Sequence, residues 1–346
     1  MITSHPFGVL PDGTPVTRYR LENSEQAYVD ILDYGATVQS VVMPDRYGMP
    51  IDVVLGYDTL KGYHQGTLYF GATVGRHCGR IGGGQFALNG ITYELEKNSG
   101  PNHIHGGLEG FHQRMFDAET LPNNSLCLRL ISPDGDQGYP GQVELSVQFT
   151  LFPNNTLVIR YRGRSDRDTL LNLTNHSYFD LSGGQDPMGQ FLWLDAETYA
   201  ENDENTLPTG TISPVAGTPF DFTQGKLLRR DLGAEHAQLR LCHGYDHSFL
   251  LHSNGKLREF ALLRSPLTGV SMQMATDLPA VQLYTANFVK EKQGKGGKAY
   301  KPNSAVCLET QFLPNALNIP GVETPVLRAG EEYDHSTAFV FSTGPL

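Results

Sequence analysis

The sequence predicts an all-β fold with few short helices. Three observations predict it: short runs of alternating apolar and polar residues, frequent turn-forming residues, and the lack of long amphipathic helical patterns. The 346 residues include 38 Gly and 21 Pro, together with 17 Phe and 16 Tyr. Glycine and proline favour turns, and aromatic side chains suit strands, so the composition favours many short strands joined by tight turns.

The clearest strand is predicted at residues 143–151, where apolar and polar residues alternate without a break. Residues 152–155 read Phe-Pro-Asn-Asn and supply turn formers, and the alternation resumes at 157–162. This order of strand, turn and strand is typical of a β-hairpin. Residues 270–275 repeat the alternation far downstream and predict another half-buried strand.

The domain organisation predicted is a single domain over residues 1–346. The length alone would allow one large β domain or two ordinary ones. No repeat, low-complexity tract or linker-like change of composition divides the chain, however. The charged, glycine-rich segment 290–298 has no periodicity and is interpreted as a solvated surface loop.

Charge and hydropathy exclude several kinds of partner. The net charge of −11 argues against nucleic acid, because phosphate binding needs clustered Lys and Arg. No segment approaches the ~18 apolar residues of a membrane span, and no secretory leader is apparent. The four cysteines lack metal-site or disulfide spacing. We therefore expect a cytoplasmic protein that binds a neutral small molecule.

A polar face is predicted at residues 172–179. If this segment is a strand, its period of two places Asn172, Thr174, His176 and Tyr178 on one face. Such a face can donate and accept hydrogen bonds toward a ligand. A solvent-facing sheet surface would show the same pattern, so this segment alone does not decide between the two.

A second candidate strand, at 306–312, carries an acidic residue on an apolar element. Val306, Leu308 and Phe312 share one side, with Glu309 and Gln311 on the other. The apolar side would pin the strand to the core and hold Glu309 rigidly, as a catalytic base requires. The alternative is an ordinary solvated glutamate.

Histidine and glycine are concentrated at residues 100–107. His103 and His105 share a strand face and could chelate a metal, but no third ligand follows at a familiar spacing. The adjacent Gly106 and Gly107 instead favour a sharp turn or the close approach of a ligand. The glycine-rich run 75–84 lacks the ending of a nucleotide loop.

Taken together and in order, these segments resemble the motifs of the aldose 1-epimerase (galactose mutarotase) family. The resemblance extends from about residue 35 to residue 333. It is carried by six motifs, at residues 79–81, 102–107, 134–141, 174–179, 244–247 and 308–311. It implies a large antiparallel β-sandwich of many strands, whose concave face holds a sugar.

The resemblance also implies roles for individual residues. Glu309 matches the catalytic base and His176 the catalytic acid, while His105 holds the sugar and is a candidate to assist at the ring oxygen. Arg80 and Asp246 match residues that bind the sugar. Further substrate-binding residues implied are Asn102, Tyr178, Gln311, Tyr284 and Phe222, and Asn287 falls in a similar segment.

The function implied is interconversion of the α and β anomers of free aldohexoses by acid and base catalysis. Unperturbed pKa values would leave Glu309 ionised and His176 protonated near neutral pH. No cofactor and no metal are expected, and the partner is a monosaccharide, with the chain acting as a monomer or homodimer. The alternatives are a glycoside hydrolase using Asp246 and Glu309, a non-catalytic carbohydrate-binding protein, and a hexose-phosphate epimerase.

Overall fold

Three antiparallel sheets form the framework of the computed structural model, which describes residues 1–344. The largest sheet has nine strands and the other two have five each, and four two-stranded ribbons lie between them. All strands of these sheets and ribbons pair antiparallel. The prediction of a large antiparallel β-sandwich is confirmed.

The strands follow one another along the chain at short intervals. Their bounds are β1 Ile2–Val9, β2 Pro15–Glu22, β3 Tyr28–Leu32, β4 Thr37–Pro44, β5 Pro50–Asp52, β6 Thr73–Val74, β7 Arg80–Ile81, β8 Gln85–Leu88, β9 Ile91–Glu94, β10 His103–Ile104, β11 Asp117–Leu121, β12 Ser125–Ser132, β13 Val143–Leu151, β14 Thr156–Ser165, β15 Thr169–Leu170, β16 Thr174–Asn175, β17 Phe191–Leu194, β18 Thr198–Asn202, β19 Pro208–Pro214, β20 Lys226–Leu227, β21 Asp246–Leu250, β22 Arg258–Arg264, β23 Val270–Thr276, β24 Ala280–Tyr284, β25 Cys307–Gln311, β26 Val326–Leu327 and β27 Glu332–Thr343.

Helices are short in the described part of the chain. The two α-helices are α1 Leu60–Gln65 and α2 Ala237–Cys242. Single 3-10 turns occur at Gly82–Gly84, Phe111–Gln113, Asp136–Gly138, Pro187–Gly189, Leu228–Arg230, Lys295–Gly297 and Ala316–Asn318. Neither α-helix has the length and hydropathy needed to cross a membrane.

The nine-stranded sheet has the order β11-β12-β13-β14-β27-β23-β22-β17-β20. The predicted hairpin is confirmed, since β13 and β14 are neighbours in this sheet and pair with Phe149 opposite Ile159. Their inward residues and those of β23 belong to one large buried cluster, so the alternation in the sequence does mark the core face. The five-stranded sheets β1-β2-β3-β4-β5 and β19-β18-β21-β24-β25 contribute to the same cluster.

Three neighbouring strands of the second five-stranded sheet position most of the polar residues discussed below. In register, Asp246 of β21 lies opposite Tyr284 of β24, and Gln282 of β24 lies opposite Glu309 of β25. On β25, Leu308 packs in the core while Glu309 faces away from it, as its alternation predicts. The sheet therefore presents Asp246, Gln282 and Glu309 on one face, held from behind by the core.

Two segments differ from their sequence interpretation. Only Thr174–Asn175 forms a strand within 172–179, because the backbone groups of this segment bond to several different neighbours rather than to one. Segment 290–298 is more than a solvated loop. Lys295 is largely buried, and its Nζ contacts Asp52 Oδ2 at 2.8 Å and the carbonyl oxygen of Val54 at 3.0 Å.

Candidate active site

A cavity of about 180 Å³ opens at the polar face of β21, β24 and β25. Its walls come from the loop after α1, from β7, from the segments around His105 and His176, and from the loop that contains Phe288. The structure brings eight of the ten predicted site residues to this cavity. They are Arg80, His105, His176, Tyr178, Asp246, Tyr284, Glu309 and Gln311.

The imidazole of His176 and the carboxylate of Glu309 face each other across the cavity floor. Nε2 of His176 lies 3.7 Å from Oε2 of Glu309, and both side chains are almost completely buried, being 6% and 4% exposed. A polar atom of a single pyranose can contact both groups at this separation. The pair is thus arranged to take a proton from a ligand on one side and supply one on the other.

Aromatic rings fix the orientation of His176. Its ring stacks on Tyr178, with ring centroids 4.9 Å apart, and is nearly parallel to the ring of Tyr69, at 6.0 Å between centroids. Nδ1 of His176 is buried and has no hydrogen-bond partner among residues 1–344. The ring is therefore held by packing, and Nε2 is the nitrogen that faces Glu309.

Burial shifts both groups toward their neutral forms. Desolvation lowers the pKa of His176 to about 4. Desolvation and the nearby charge of Asp246 raise the pKa of Glu309 to about 8, against the opposing effect of Arg80. The expectation from unperturbed values, an ionised Glu309 beside a protonated His176, is therefore reversed in this structure. Between pH 4 and 8 the pair still holds one proton, and it resides on Glu309.

His105 joins the same cluster in a fixed tautomer. Its ring is 5.3 Å from that of His176, measured between centroids, and its Nδ1 accepts a hydrogen bond of 3.2 Å from the backbone N–H of Gly79. Neutral imidazole that accepts at Nδ1 carries its proton at Nε2. Burial lowers the pKa of His105 and favours this neutral form. His105 therefore offers a hydrogen-bond donor to the cavity.

His105, His176 and Glu309 each have one nitrogen or oxygen atom that could bind a metal ion, and these three atoms lie within 4.8 Å of one another. Metal-binding histidines usually donate their second N–H to an acceptor, which leaves a lone pair for the metal. His105 has the opposite arrangement, because Gly79 donates to it. His103 contributes nothing to this cluster, since its Nδ1 is 2.7 Å from the carbonyl oxygen of Glu96 and its Nε2 is 2.8 Å from the hydroxyl of Tyr139.

Asp246 is the second carboxylate of the cavity. Nε2 of Gln282 donates to its Oδ1 at 2.7 Å, and Ser248 donates to Oε1 of the same Gln282 at 2.5 Å. Burial raises the pKa of Asp246, while the charge of Arg80 and the bond from Gln282 oppose this rise. Asp246 and Arg80 thus offer an acceptor and a donor at the cavity wall for sugar hydroxyls.

Gln311 lies beyond Glu309 on the same face of β25. Its Oε1 accepts a hydrogen bond from the thiol of Cys78 at 3.0 Å, and its buried Nε2 has no protein partner among the described residues. A buried amide donor without a partner is costly unless a ligand satisfies it. Nε2 of Gln311 is therefore placed to donate to a bound molecule.

Two predicted site residues lie outside the cavity. Asn102 is buried behind it, where its Oδ1 accepts from the backbone N–H of Gly83 at 3.1 Å. Phe222 belongs to the core, with its ring 5.2 Å from that of Tyr245. Asn287 likewise donates to the carbonyl oxygens of Cys242 and Tyr245 rather than facing the cavity.

Among the cavity residues that sequence reasoning missed are Gln282 and Tyr69. Gln282 could have been found, because it is the one side chain with an amide in the run Ala-Val-Gln-Leu-Tyr that forms β24. Tyr69 follows the short helix α1 and shows no periodic signal. Its positive φ of 54° places its ring among three histidines, and only the fold reveals this.

Fold and site together place a buried histidine and glutamate pair in a polar cavity on a large β-sandwich. The family model described as aldose 1-epimerase matches residues 17–340. Galactose mutarotase of Mus musculus is 40% identical over 345 residues, which cover 99% of this chain and 98% of that one. Aldose 1-epimerase of Escherichia coli K12 is 34% identical over 335 residues and 96% of each chain.

A solved structure agrees with these sequence matches. The crystal structure of galactose 1-epimerase from Lactobacillus acidophilus NCFM superposes with a TM-score of 0.88 at 28% identity and covers 99% of both chains. The chain belongs to the aldose 1-epimerase family.

Proposed function

We propose that this chain is an aldose 1-epimerase that interconverts the α and β anomers of free aldohexoses of the galactose and glucose type. The observation that carries the proposal is the 3.7 Å approach of His176 and Glu309 within one buried, sugar-sized cavity. The chemistry needs a base at the C1 hydroxyl and an acid at the ring oxygen. The pair supplies both and needs no further group.

The first half of the reaction opens the ring. Glu309, as its carboxylate, takes the proton of the C1 hydroxyl, and the electrons of that O–H bond form the aldehyde C=O. The bond from C1 to the ring oxygen breaks, and the ring oxygen takes a proton from His176. Glu309 then carries one proton more and His176 one fewer, so the pair as a whole keeps its single proton.

The second half closes the ring on the other face. Rotation about the C1–C2 bond turns the aldehyde over, and the C5 hydroxyl attacks it. His176 takes the proton from that hydroxyl while Glu309 returns its proton to the new C1 oxygen. Because the transfers reverse, the site ends in its starting state and another turnover can follow.

The raised pKa of Glu309 has a role in this cycle. The proton rests on Glu309 before the sugar binds, yet the reactive form carries it on His176. The two arrangements have the same total charge, and a sugar hydroxyl bound between the two groups, which lie 3.7 Å apart, can accept a proton from one and donate its own to the other. Hydrogen bonds from sugar hydroxyls to the carboxylate favour its ionised form and so bring the pair into the reactive state.

The remaining cavity residues bind the sugar. Arg80 and Nε2 of Gln311 donate to sugar oxygens, and Asp246 accepts from hydroxyls. His105 donates through Nε2 near His176, where the ring oxygen is protonated. Among the cavity-lining residues within 1–344, Arg80 is the only one with a permanent positive charge, which favours a neutral sugar over a sugar phosphate.

All of these groups come from one copy of the chain, so a monomer can carry a complete site, and a homodimer would carry two. We further infer a cytoplasmic location, which the four buried, unpaired cysteines support, since a reducing compartment keeps such thiols free.

The test of the function is polarimetry with freshly dissolved α-D-galactose and α-D-glucose. The wild-type chain should accelerate mutarotation, and Glu309→Gln and His176→Asn should each lower kcat by ~10²–10⁴-fold, the usual contribution of a positioned acid or base. Glu144→Gln on the exposed side of β13 is the matched control and should keep full activity.

The same preparations should be incubated with an aryl galactoside and an aryl glucoside. An anomer-converting enzyme releases no phenol, whereas a glycoside hydrolase would. Near-normal mutarotation by Glu309→Gln would contradict the assigned roles, and phenol release abolished by the same substitution would favour hydrolysis.

A further inference from the structure

Asn172 connects the two chain segments that carry His176 and Glu309. Its side-chain amide makes two hydrogen bonds to the backbone of Phe312, just after β25. Nδ2 donates to the carbonyl oxygen at 3.2 Å, and Oδ1 accepts from the N–H at 3.0 Å. Asn172 is fully buried. Its amide thus replaces a pair of ladder hydrogen bonds of the kind that join neighbouring strands.

A second connection lies at the other end of the same segments. The backbones of Phe179 and Val306 exchange two hydrogen bonds, of 2.8 and 2.9 Å. Between these two points, residues 173–178 and 307–311 share no backbone hydrogen bond in the described structure. His176 and Glu309 both lie near the middle of this open interval, where their side chains approach each other.

The backbone of Asn172 adds a third segment. Its N–H donates to the carbonyl oxygen of Arg76 at 2.8 Å, and its carbonyl oxygen accepts from the N–H of Cys78 at 2.9 Å. The chain then reaches Arg80 two residues later. Asn172 is therefore the point at which the segments carrying Arg80, His176 and Glu309 are fastened together.

We propose that Asn172 is a positioning residue, whose amide clamp on Phe312 sets the separation between His176 and Glu309. The inference rests on the acid and base roles proposed above. Without the clamp, backbone hydrogen bonds join the two segments only at the Phe179 end, and the Phe312 end of β25 keeps its pairing with β24 but loses its attachment to the segment of His176. A misplacement of about 1 Å costs on the order of 10²-fold in rate.

The clamp should affect turnover more than binding. Asn172 does not line the cavity, and of the proposed sugar-binding residues only Gln311 adjoins Phe312, while Asp246 and Arg80 lie on other segments. We therefore expect Asn172→Leu to lower kcat by roughly 10–100-fold and to raise KM for galactose by a smaller factor. Thr174→Val is the matched control, because the hydroxyl of Thr174 is buried in the same segment without a partner. It should keep both constants.

Asn172→Asp gives a second test, because the hydrogen bonds of its side chain to Phe312 depend on whether the new carboxyl group is protonated. An ionised carboxylate only accepts, so it keeps the bond from the Phe312 N–H and repels the carbonyl oxygen, whereas a protonated one donates as well. We expect the ratio of its kcat to that of the wild type to be about 0.1 or lower at pH 8 and to rise several-fold by pH 5. The same ratio for Asn172→Leu should not vary with pH.

Thermal unfolding of each variant, and assays well below the midpoint, separate lost stability from lost positioning. A merely structural role would lower the midpoint but leave kcat of the folded enzyme and its pH dependence unchanged, and this result would overturn the inference. Equal kcat for wild type and Asn172→Leu would also overturn it. Glu309→Gln is assayed in parallel. If Glu309→Gln is active, the proposed function itself has failed. If Glu309→Gln is inactive and Asn172→Leu is fully active, only the clamp is refuted.

Discussion

Gln282 and Asp246 are joined by a hydrogen bond of 2.7 Å from the amide nitrogen to Oδ1 of the carboxylate. Because an ionised carboxylate only accepts, the amide must present its nitrogen to Asp246 and its oxygen to Ser248. Gln282 also lies opposite Glu309 in the pairing of β24 with β25. A residue missed in the sequence thus holds Asp246 in place and is the cross-strand neighbour of Glu309.

This link predicts that Gln282→Leu weakens sugar binding. Removing the amide leaves Asp246 buried with one bond fewer, and a hydrogen bond to a charged group contributes about 1.5–3 kcal/mol. That free energy corresponds to a rise in KM for galactose of roughly 10–100-fold. Gln273→Leu, on the exposed side of β23, is the control and should leave KM unchanged. An unaltered KM in Gln282→Leu would show that Asp246 does not depend on this amide.

The pH dependence of kcat/KM should be bell-shaped. Below the pKa of His176, which burial lowers to about 4, the pair binds a second proton and the base is lost. Above the pKa of Glu309, which burial raises to about 8, the pair loses its single proton and the acid is lost. Polarimetric rates from about pH 3.5 to 9.5 measure both limbs. An upper limb near ~6.5, the unperturbed pKa of imidazole, would contradict the burial argument.

Stability should depend on pH through the same glutamate. Its pKa is about 8 in the folded state and near 4.5 when unfolded, so its contribution to stability is complete below pH 4.5 and is lost as pH rises to 8. Glu309→Gln lacks this loss. We expect the variant to exceed the wild type in free energy of unfolding by on the order of 3–5 kcal/mol at pH 9, since each pKa unit is about 1.4 kcal/mol.

Urea unfolding at pH 5 and pH 9 measures this difference. The difference in free energy of unfolding between Glu309→Gln and the wild type should shrink toward zero at pH 5. Glu144→Gln, an exposed strand residue, should match the wild type at both values. If Glu309→Gln exceeds the wild type in free energy of unfolding by the same amount at both pH values, ionisation of Glu309 is not the cause of the difference.

Phe222 offers a test of the distinction between core and site. Since its ring packs in the core beside Tyr245, we expect Phe222→Leu to lower the free energy of unfolding by about 1–2 kcal/mol and to leave KM unchanged. Chemical denaturation and sugar kinetics measure the two quantities. A raised KM of Phe222→Leu with an unchanged free energy of unfolding would show that Phe222 contributes to substrate binding.

Lys295 should stabilise the loop that carries it. Its Nζ bonds to Asp52 and to the carbonyl oxygen of Val54, largely out of water. Hydrogen bonds to charged groups contribute about 1.5–3 kcal/mol, so Lys295→Met should lose stability of this order and expose residues 290–298 to proteolysis. Lys292→Met, an exposed neighbour, serves as the control and should resist the protease like the wild type. Equal resistance of Lys295→Met would show that the loop is held by other contacts.

Strands with alternating apolar and polar residues could be predicted from the sequence. The strands β13, β14 and β23 and the outward side of Glu309 follow from residue spacing, because a strand with one buried face must alternate. The roles of His176, His105 and Asp246 came instead from the resemblance of six motifs, and their convergence on one cavity required the tertiary fold.

Other features could not be predicted, because they depend on contacts distant in sequence. The family resemblance did not separate Phe222, a core residue, from Tyr284, which reaches the cavity. The protonation of His176 and Glu309 was predicted in the wrong order, since the ordinary values for side chains in water include no desolvation. Lys295 looked solvated because its partner Asp52 lies 243 residues away along the chain.

The alternation of apolar and polar residues in β25 limits which insertions and deletions this chain tolerates in evolution. Loops on either side of the strand can gain or lose residues if its pairing with β24 is kept. A single residue inserted within β25 before Glu309 would turn Glu309 to the opposite face of the strand and place its carboxylate in the apolar core. Viable descendants should therefore vary in loop length around this strand, while the count of residues inside it stays constant.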